Sequence, residues 1–141
     1  MEDWTEDDWM EWVENIFEAL DAKDADGFVA MLTQGAEVRF GNGALREGRA
    51  AVRDAFNDFF SAVDMISHAF TSQLRVDDTL IIEQMVTLSR PQGNAVVLPA
   101  VTVFELAEGK ADRMQTYIDV SPLFPSGAAP ALCRASEAVM A

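Results

Sequence analysis

Apolar residues recur with two different periods along this chain, and the change from one to the other falls near Asp64. Trp9, Trp12, Val13, Ile16, Phe17 and Leu20 repeat every three to four residues, with Glu11, Glu14 and Glu18 on other sides. That spacing predicts an amphipathic helix ending near Ala22. Thr5, followed by Glu6, Asp7 and Asp8, supplies an N-cap and carboxylates for the first turn. Asp24 or Asp26 opens a short second helix over Gly27–Leu32, which makes a helix hairpin with the first. Glu37–Phe40 alternates as a strand, Gly41-Asn42-Gly43 turns the chain, and Leu45–Gly48 forms a short return. Val52, Phe56, Phe59, Phe60 and Val63 then mark a third helix over Arg49–Val63.

After Asp64 the period drops to two. Met65–Val76, Thr79–Arg90, Ala95–Leu106 and Lys110–Asp119 read as long strands rich in β-branched residues, joined by turns at Asp77-Asp78, Pro91–Asn94 and Glu108–Lys110. Turns of this chemistry between such strands specify an antiparallel meander. Pro99 lies inside the third of these strands, which points to an edge or a bulge. Pro122, Pro125, Gly127 and Pro130 end the sheet, and Ala131–Met140 forms a short terminal helix or a tail. The expected architecture is α+β: a cone-shaped, strongly curved antiparallel sheet packed against three helices and enclosing an apolar pocket. Residues 1–124 make the domain and 125–141 the tail or short helix.

Composition narrows the function classes. With 141 residues, half of them hydrophobic, one domain can bury about 70% of its unfolded surface without metal or disulfides. A net charge of −14 argues against nucleic acid, whose phosphates need a basic surface. Eleven of the 24 acidic residues fall within the first 26 positions, as expected of a solvated helix face. No apolar run reaches the length of a membrane span, and the acidic start is unlike a signal peptide. A single cysteine, Cys133, fits a reducing compartment, so a cytoplasmic location is expected. His68 and Cys133 are far apart in sequence and the carboxylates lack ligand spacing, so no metal or other cofactor is expected.

Several local signatures resemble the nuclear transport factor two-like superfamily, and within it the SnoaL-like polyketide cyclases and limonene-1,2-epoxide hydrolases. They are Ile16-Phe-Glu-Ala-Leu20 followed by Asp24 and Phe28, Gly48-Arg-Ala-Ala-Val52, Val103-Phe-Glu-Leu106 with Glu108-Gly-Lys110, and Tyr117-Ile-Asp119. The resemblance runs from about Trp9 to Phe124. It implies the cone fold, and it implies a pocket. Phe17 and Leu20 would come from the first helix, Val38 and Phe40 from the first strand, and Phe59, Val63 and Met65 from the rim. The long strands would add Gln84, Val86, Leu88, Leu98, Ala100, Thr102, Phe104, Met114, Thr116 and Ile118. The five positions where the epoxide hydrolases carry their water-holding and acid–base groups fall on Val38, Phe40, Gln84, Val86 and Thr116. None of these can serve as an acid or a base, so the standard limonene-epoxide hydrolase reaction is not expected.

The remaining candidates for proton transfer are Asp119, Tyr117 and His68. Asp119 and Tyr117 share a face of the last strand. By the epoxide-hydrolase register that face is opposite the pocket, where Met114, Thr116 and Ile118 point. The bland role for Asp119 is to cap the turn that follows or to pair with Arg39 or Arg113. His68 is the only histidine and could be a general base near neutral pH. Two functions follow. One is an isomerase-, cyclase- or hydrolase-type enzyme acting by proton transfer on a polyketide-, steroid- or terpenoid-like molecule. The other is a hydrophobic-ligand-binding or assembly module on the same fold, without catalysis. The outward face of the sheet, with Ile81, Glu83, Met85, Val97, Val101 and Val103, is apolar enough to predict a homodimer.

Overall fold

The computed structural model describes residues 1–125 and 127–136. Helix α1 (Glu6–Asp21) starts on a capping box, in which Thr5 Oγ1 accepts from the Asp8 N–H and Asp8 Oδ2 accepts from the Thr5 N–H. Its stripe of Trp9, Trp12, Val13, Ile16, Phe17 and Leu20 is buried. The helix is thus held mainly by the face it lays on the sheet rather than by propensity. Helix α2 (Ala25–Val29) begins earlier than its apolar residues suggest, because the Asp24 carboxylate caps it by accepting from the Gly27 N–H at 2.9 Å. Helix α3 (Arg49–Ala62) buries Val52, Ala55, Phe56, Phe59 and Phe60.

Six strands form one curved, open sheet in the order β2-β1-β6-β5-β4-β3. They are β1 (Leu32–Phe40), β2 (Arg46–Glu47), β3 (Met65–Val76), β4 (Thr79–Ser89), β5 (Val96–Ala107) and β6 (Lys110–Ile118). The four long strands after α3 pair antiparallel, as their turns require. Strand β1 joins β6 in parallel, so the sheet as a whole is mixed. Strand β1 is also twice the expected length. Its pairing slips between Leu32 and Glu37, leaving Thr33, Gln34 and Gly35 between the buried Leu32 and Ala36. That irregularity breaks the two-residue alternation on which a strand is recognised.

Pro99 sits in β5, a central strand, opposite Met85 of β4. Strand β6 reaches only as far as Ala100, whose partner is Ile118. Beyond it β5 has one neighbour, so Pro99 occupies a local edge where its missing N–H costs no ladder bond.

The three helices cover the inward face of the sheet. Trp12 packs edge-on against Phe104 at 5.1 Å between ring centroids and donates from Nε1 to the Gly109 carbonyl. Phe28 and Phe56 join α2 to α3 at 4.7 Å. After β6 the chain recrosses this end of the domain. A 3₁₀ turn, Ala131–Cys133, buries Leu132 and Cys133. It is tied to the β1–β2 connection by Arg46 Nη2 donating to the Ala131 carbonyl and the Ala44 N–H donating to that of Arg134. The expected terminal helix over Ala131–Met140 is this single turn as far as Ser136, and residues 137–140 lie outside the described residues.

Candidate functional site

Between the inward face of the sheet and α1 and α3 lies a small cavity of about 30 Å³, partly open to solvent, room for one or two water molecules. Its walls are aromatic and aliphatic. Phe17 and Leu20 come from α1, Phe40 from β1, and Phe56, Phe59 and Phe60 from α3. Ile66 and His68 come from β3, and Val86 and Leu88 from β4. Met114 and Ile118 come from β6. Gln84, Thr102 and Thr116 supply its neutral polar groups. Period-two alternation places every one of these strand residues on one face of the sheet.

Six positions expected in the wall lie elsewhere. Val38, Val63, Leu98, Ala100 and Phe104 are buried in the core and do not line the cavity. Met65, at the start of β3, is exposed. In exchange Phe56, Phe60 and Ile66 face the cavity. Phe56 and Phe60 stand one helical turn apart on α3, in the same stripe as Phe59, so their spacing was the available signal.

The titratable residues separate sharply. Tyr117 is 57% exposed, on the outward face of β6. Asp119 lies beyond the end of that strand, where its carboxylate accepts from the Ser121 N–H at 3.0 Å. That backbone bond, with a further one from the Ser121 side chain, holds the Asp119 carboxyl below its ordinary value. A carboxylate stabilised this way is a turn cap and a poor base. Neither Tyr117 nor Asp119 lines the cavity. The family register had already turned both away from it, because β6 side chains alternate and Met114, Thr116 and Ile118 take the inner face.

His68 does line it. On the inner face of β3, its ring packs on Phe17 at 4.7 Å between centroids. Its Nδ1 is hydrogen-bonded to Asp21 Oδ1, and the other oxygen of the same carboxylate accepts from the His68 backbone N–H at 3.3 Å. The His68 side chain is 9% exposed and that of Asp21 32%. The carboxylate therefore grips both the ring and the backbone of one residue. With Nδ1 donating to the carboxylate, Nε2, which has no hydrogen-bond partner among the described residues, is the nitrogen left to act as a base. Asp21 was not singled out in the sequence because it ends a helix crowded with carboxylates. Its position four residues after Phe17 puts it on the buried stripe, and that is the legible sign.

The polar groups at the cavity floor bond to one another. Gln84 Nε2 donates to Thr102 Oγ1 at 3.0 Å, and Thr102 Oγ1 lies 3.0 Å from Thr116 Oγ1. All three residues are buried, and Gln84 Oε1 has no donor among the described residues. Also among the described residues, no three His, Cys, Asp or Glu side chains converge as a metal set, and no helix is long and apolar enough to cross a membrane.

The profile of the SnoaL-like domain matches residues 13–114, most of the chain. The chain belongs to the SnoaL-like domain family. Three solved structures place the domain in its wider fold. The epoxide hydrolase/cyclase-like enzyme SalBIII, described with pyran ring formation in the polyether salinomycin, is 27% identical with a TM-score of 0.72, over 86% of this chain and 96% of that one. A Catenulispora acidiphila protein of ketosteroid isomerase-like fold, in complex with trimethylamine, is 15% identical with a TM-score of 0.75, over 86% and 95%. A nuclear transport factor two-like protein of unknown function from Burkholderia pseudomallei is 16% identical with a TM-score of 0.73, over 80% and 92%. The last two likenesses concern the fold alone. The sequence matches no curated protein. Of the five positions that carry hydrolase chemistry in the epoxide-hydrolase branch, this SnoaL-like domain turns Phe40, Gln84, Val86 and Thr116 into the cavity as neutral side chains.

Proposed function

We propose that this SnoaL-like protein is a proton-transfer enzyme of the isomerase or cyclase kind acting on a neutral, lipophilic molecule, with His68 as its base and Asp21 as the residue that positions it. The observation that carries this reading is His68, held by Asp21, in the wall of a cavity whose other described side chains are neutral. Nε2 takes a proton from a hydroxyl, or from a carbon next to a carbonyl. The imidazolium that results faces the Asp21 carboxylate, and the proton returns to another atom of the same molecule. Such a shift is redox-neutral and needs no co-reactant. Positioned acid–base catalysis of this kind contributes about 10²–10⁴-fold. The likeness to SalBIII, whose description concerns ring formation, supports ring closure as one form the reaction takes.

Exchange of the α-hydrogens of cyclohexanone in D₂O, followed by proton NMR at neutral pD, tests the base directly. The wild-type protein is expected to accelerate exchange, His68→Gln to lose the acceleration, and Asp21→Asn to lose most of it with the fold intact. Equal exchange in all three would refute the assignment.

A second reading, a binding module without catalysis, is favoured by one observation: among the described residues, His68 is the only titratable group in the cavity wall. Under it the same mixtures show perturbed cavity methyl resonances and no exchange above the buffer rate.

A further inference from the structure

The polar floor of the cavity is a hydrogen-bonded chain with a direction, and counting protons sets that direction. Thr102 Oγ1 accepts from Gln84 Nε2 and has one other neighbour, Thr116 Oγ1. If Thr116 donated to Thr102, the Thr102 proton would be buried with both of its neighbours already pointing hydrogens at it. With Thr102 0% exposed and Thr116 5%, we assign Thr102 as the donor to Thr116, which leaves the Thr116 hydroxyl a proton for the cavity. At the other end, Gln84 Oε1 is an acceptor with no donor among the described residues, on a side chain only 1% exposed. A buried acceptor left unpaired costs about 1–3 kcal/mol. An apolar Met of similar length would avoid that cost while filling the same space. The groups cross three strands in a staircase, since Thr102 faces Thr116 in the β5–β6 pairing and Gln84 sits one diagonal step away on β4. His68 is likewise a diagonal neighbour of Gln84 across the β3–β4 pairing, which aligns His68 with Val86 and Phe70 with Gln84. Such neighbours stand roughly 7–8 Å apart, a span that a six-membered ring can bridge.

We propose that Gln84 Oε1 and the Thr116 hydroxyl form a neutral acceptor–donor subsite that selects lipophilic ligands carrying a hydroxyl or another neutral hydrogen-bond donor. This deepens the function proposed above and rests on its reading of the cavity as the ligand site. The donor of the ligand seats on Gln84 Oε1, and a carbonyl or ether oxygen placed beyond it accepts from Thr116. The ring then lies against Val86 and Ile118 within reach of His68. Anionic ligands are rejected. Among the described residues no Lys or Arg lines the cavity, and a carboxylate would meet the negative end of the Gln84 amide with its solvation lost. Because the free space is about 30 Å³, a ring enters by parting the aromatic side chains of α3 from Phe40.

Methyl-resolved NMR titration of the full chain with cyclohexanol, cyclohexanone and cyclohexanecarboxylate tests this, following the methyls of Val86, Leu88 and Ile118. One net hydrogen bond corresponds to about a tenfold difference in affinity. Wild type is expected to bind the alcohol about tenfold more tightly than the ketone, and the carboxylate not measurably. Gln84→Met is expected to bind alcohol and ketone alike while keeping or raising the thermal midpoint of the free protein. Should Gln84→Met not fold, Thr102→Val frees the amide from its anchor and is expected to cut the preference to about threefold or less. Equal affinities in wild type, a preference for ketone or carboxylate, or a preference that survives both substitutions would overturn the subsite and leave the cavity standing. If none of the three probes moves a cavity methyl, the cavity is no ligand site, and the subsite falls together with the function proposed above.

Discussion

At the scale of single residues, environment separates groups that composition treats alike. The chain carries 24 carboxylates, yet Asp21 reaches the cavity histidine while Asp119 is spent on the turn after β6. The two neutral threonines and Gln84, silent as catalytic candidates, become the polar floor. Cys133 shows the same effect on a titration. Burial first, and the charge of Asp58 second, push its thiol up to about 12 from an ordinary value of 9.0. The folded thiol thus keeps its proton over a range in which the unfolded thiol has lost it. Stability from this group is fully present below the unfolded value and falls as pH rises from there toward the folded one. Urea midpoints measured between pH 8 and pH 11 are therefore expected to drop further for wild type than for Cys133→Ala. Parallel pH profiles would show that the thiol does not contribute. What the family resemblance implied of the site was its inner register on β4 and β6, from Gln84 to Ile118. The Asp21–His68 pair was hidden because the two are 47 positions apart and on different kinds of element.

At the scale of elements, α1, α3 and the four long strands announce themselves, since each repeats its apolar period over nine residues or more. The irregular pieces do not. Strand β1 begins five residues before its alternation does, because the irregularity after Leu32 hides the start. The 3₁₀ turn at Ala131–Cys133 follows a Pro- and Gly-rich stretch that reads as a tail, but Leu132 is wholly buried. Gly43 shows how tightly this turn is held, because a Cβ there would collide with the Leu132 carbonyl oxygen, which is backbone and cannot swing aside. Gly43→Ala is expected to displace the turn, and Leu132→Ala to cost about 2–5 kcal/mol through the cavity it leaves. Chemical denaturation of both variants measures this. Losses below about 0.5 kcal/mol, the usual limit for surface substitutions, would mean that the turn is not part of the cooperative core.

At the scale of the whole molecule, the inward face of the sheet is covered by helices and the outward face is not. Val97 is 57% exposed there, Met85 36% and Tyr117 57%, with Pro99 and Val101 among them. A largely apolar face of this kind, interrupted by Thr71 and Glu83, is costly to keep in water, and we propose that two copies of the chain pair through it. Sedimentation equilibrium at micromolar concentration is expected to give twice the chain mass of 15.5 kDa, and Val97→Glu with Met85→Lys to give the monomer. A wild-type monomer under those conditions would end this proposal. The net charge of −14 opposes pairing over long distances, so association is expected to strengthen with salt.

By itself the sequence determined what is periodic and local: two amphipathic helices and a short one between them, four long strands with their turns, and which side chains of each strand share a face. Those follow from backbone geometry, in which side chains repeat every 3.6 or 2 residues whatever lies across from them. Tertiary structure decided everything that depends on distant residues meeting. It joined β1 to β6 in parallel, gave Pro99 its local edge, shrank the cavity to about 30 Å³, and carried Asp21 from the end of α1 to His68 on β3. No period encodes such meetings, because the curvature of the sheet brings the partners together only after the elements have packed.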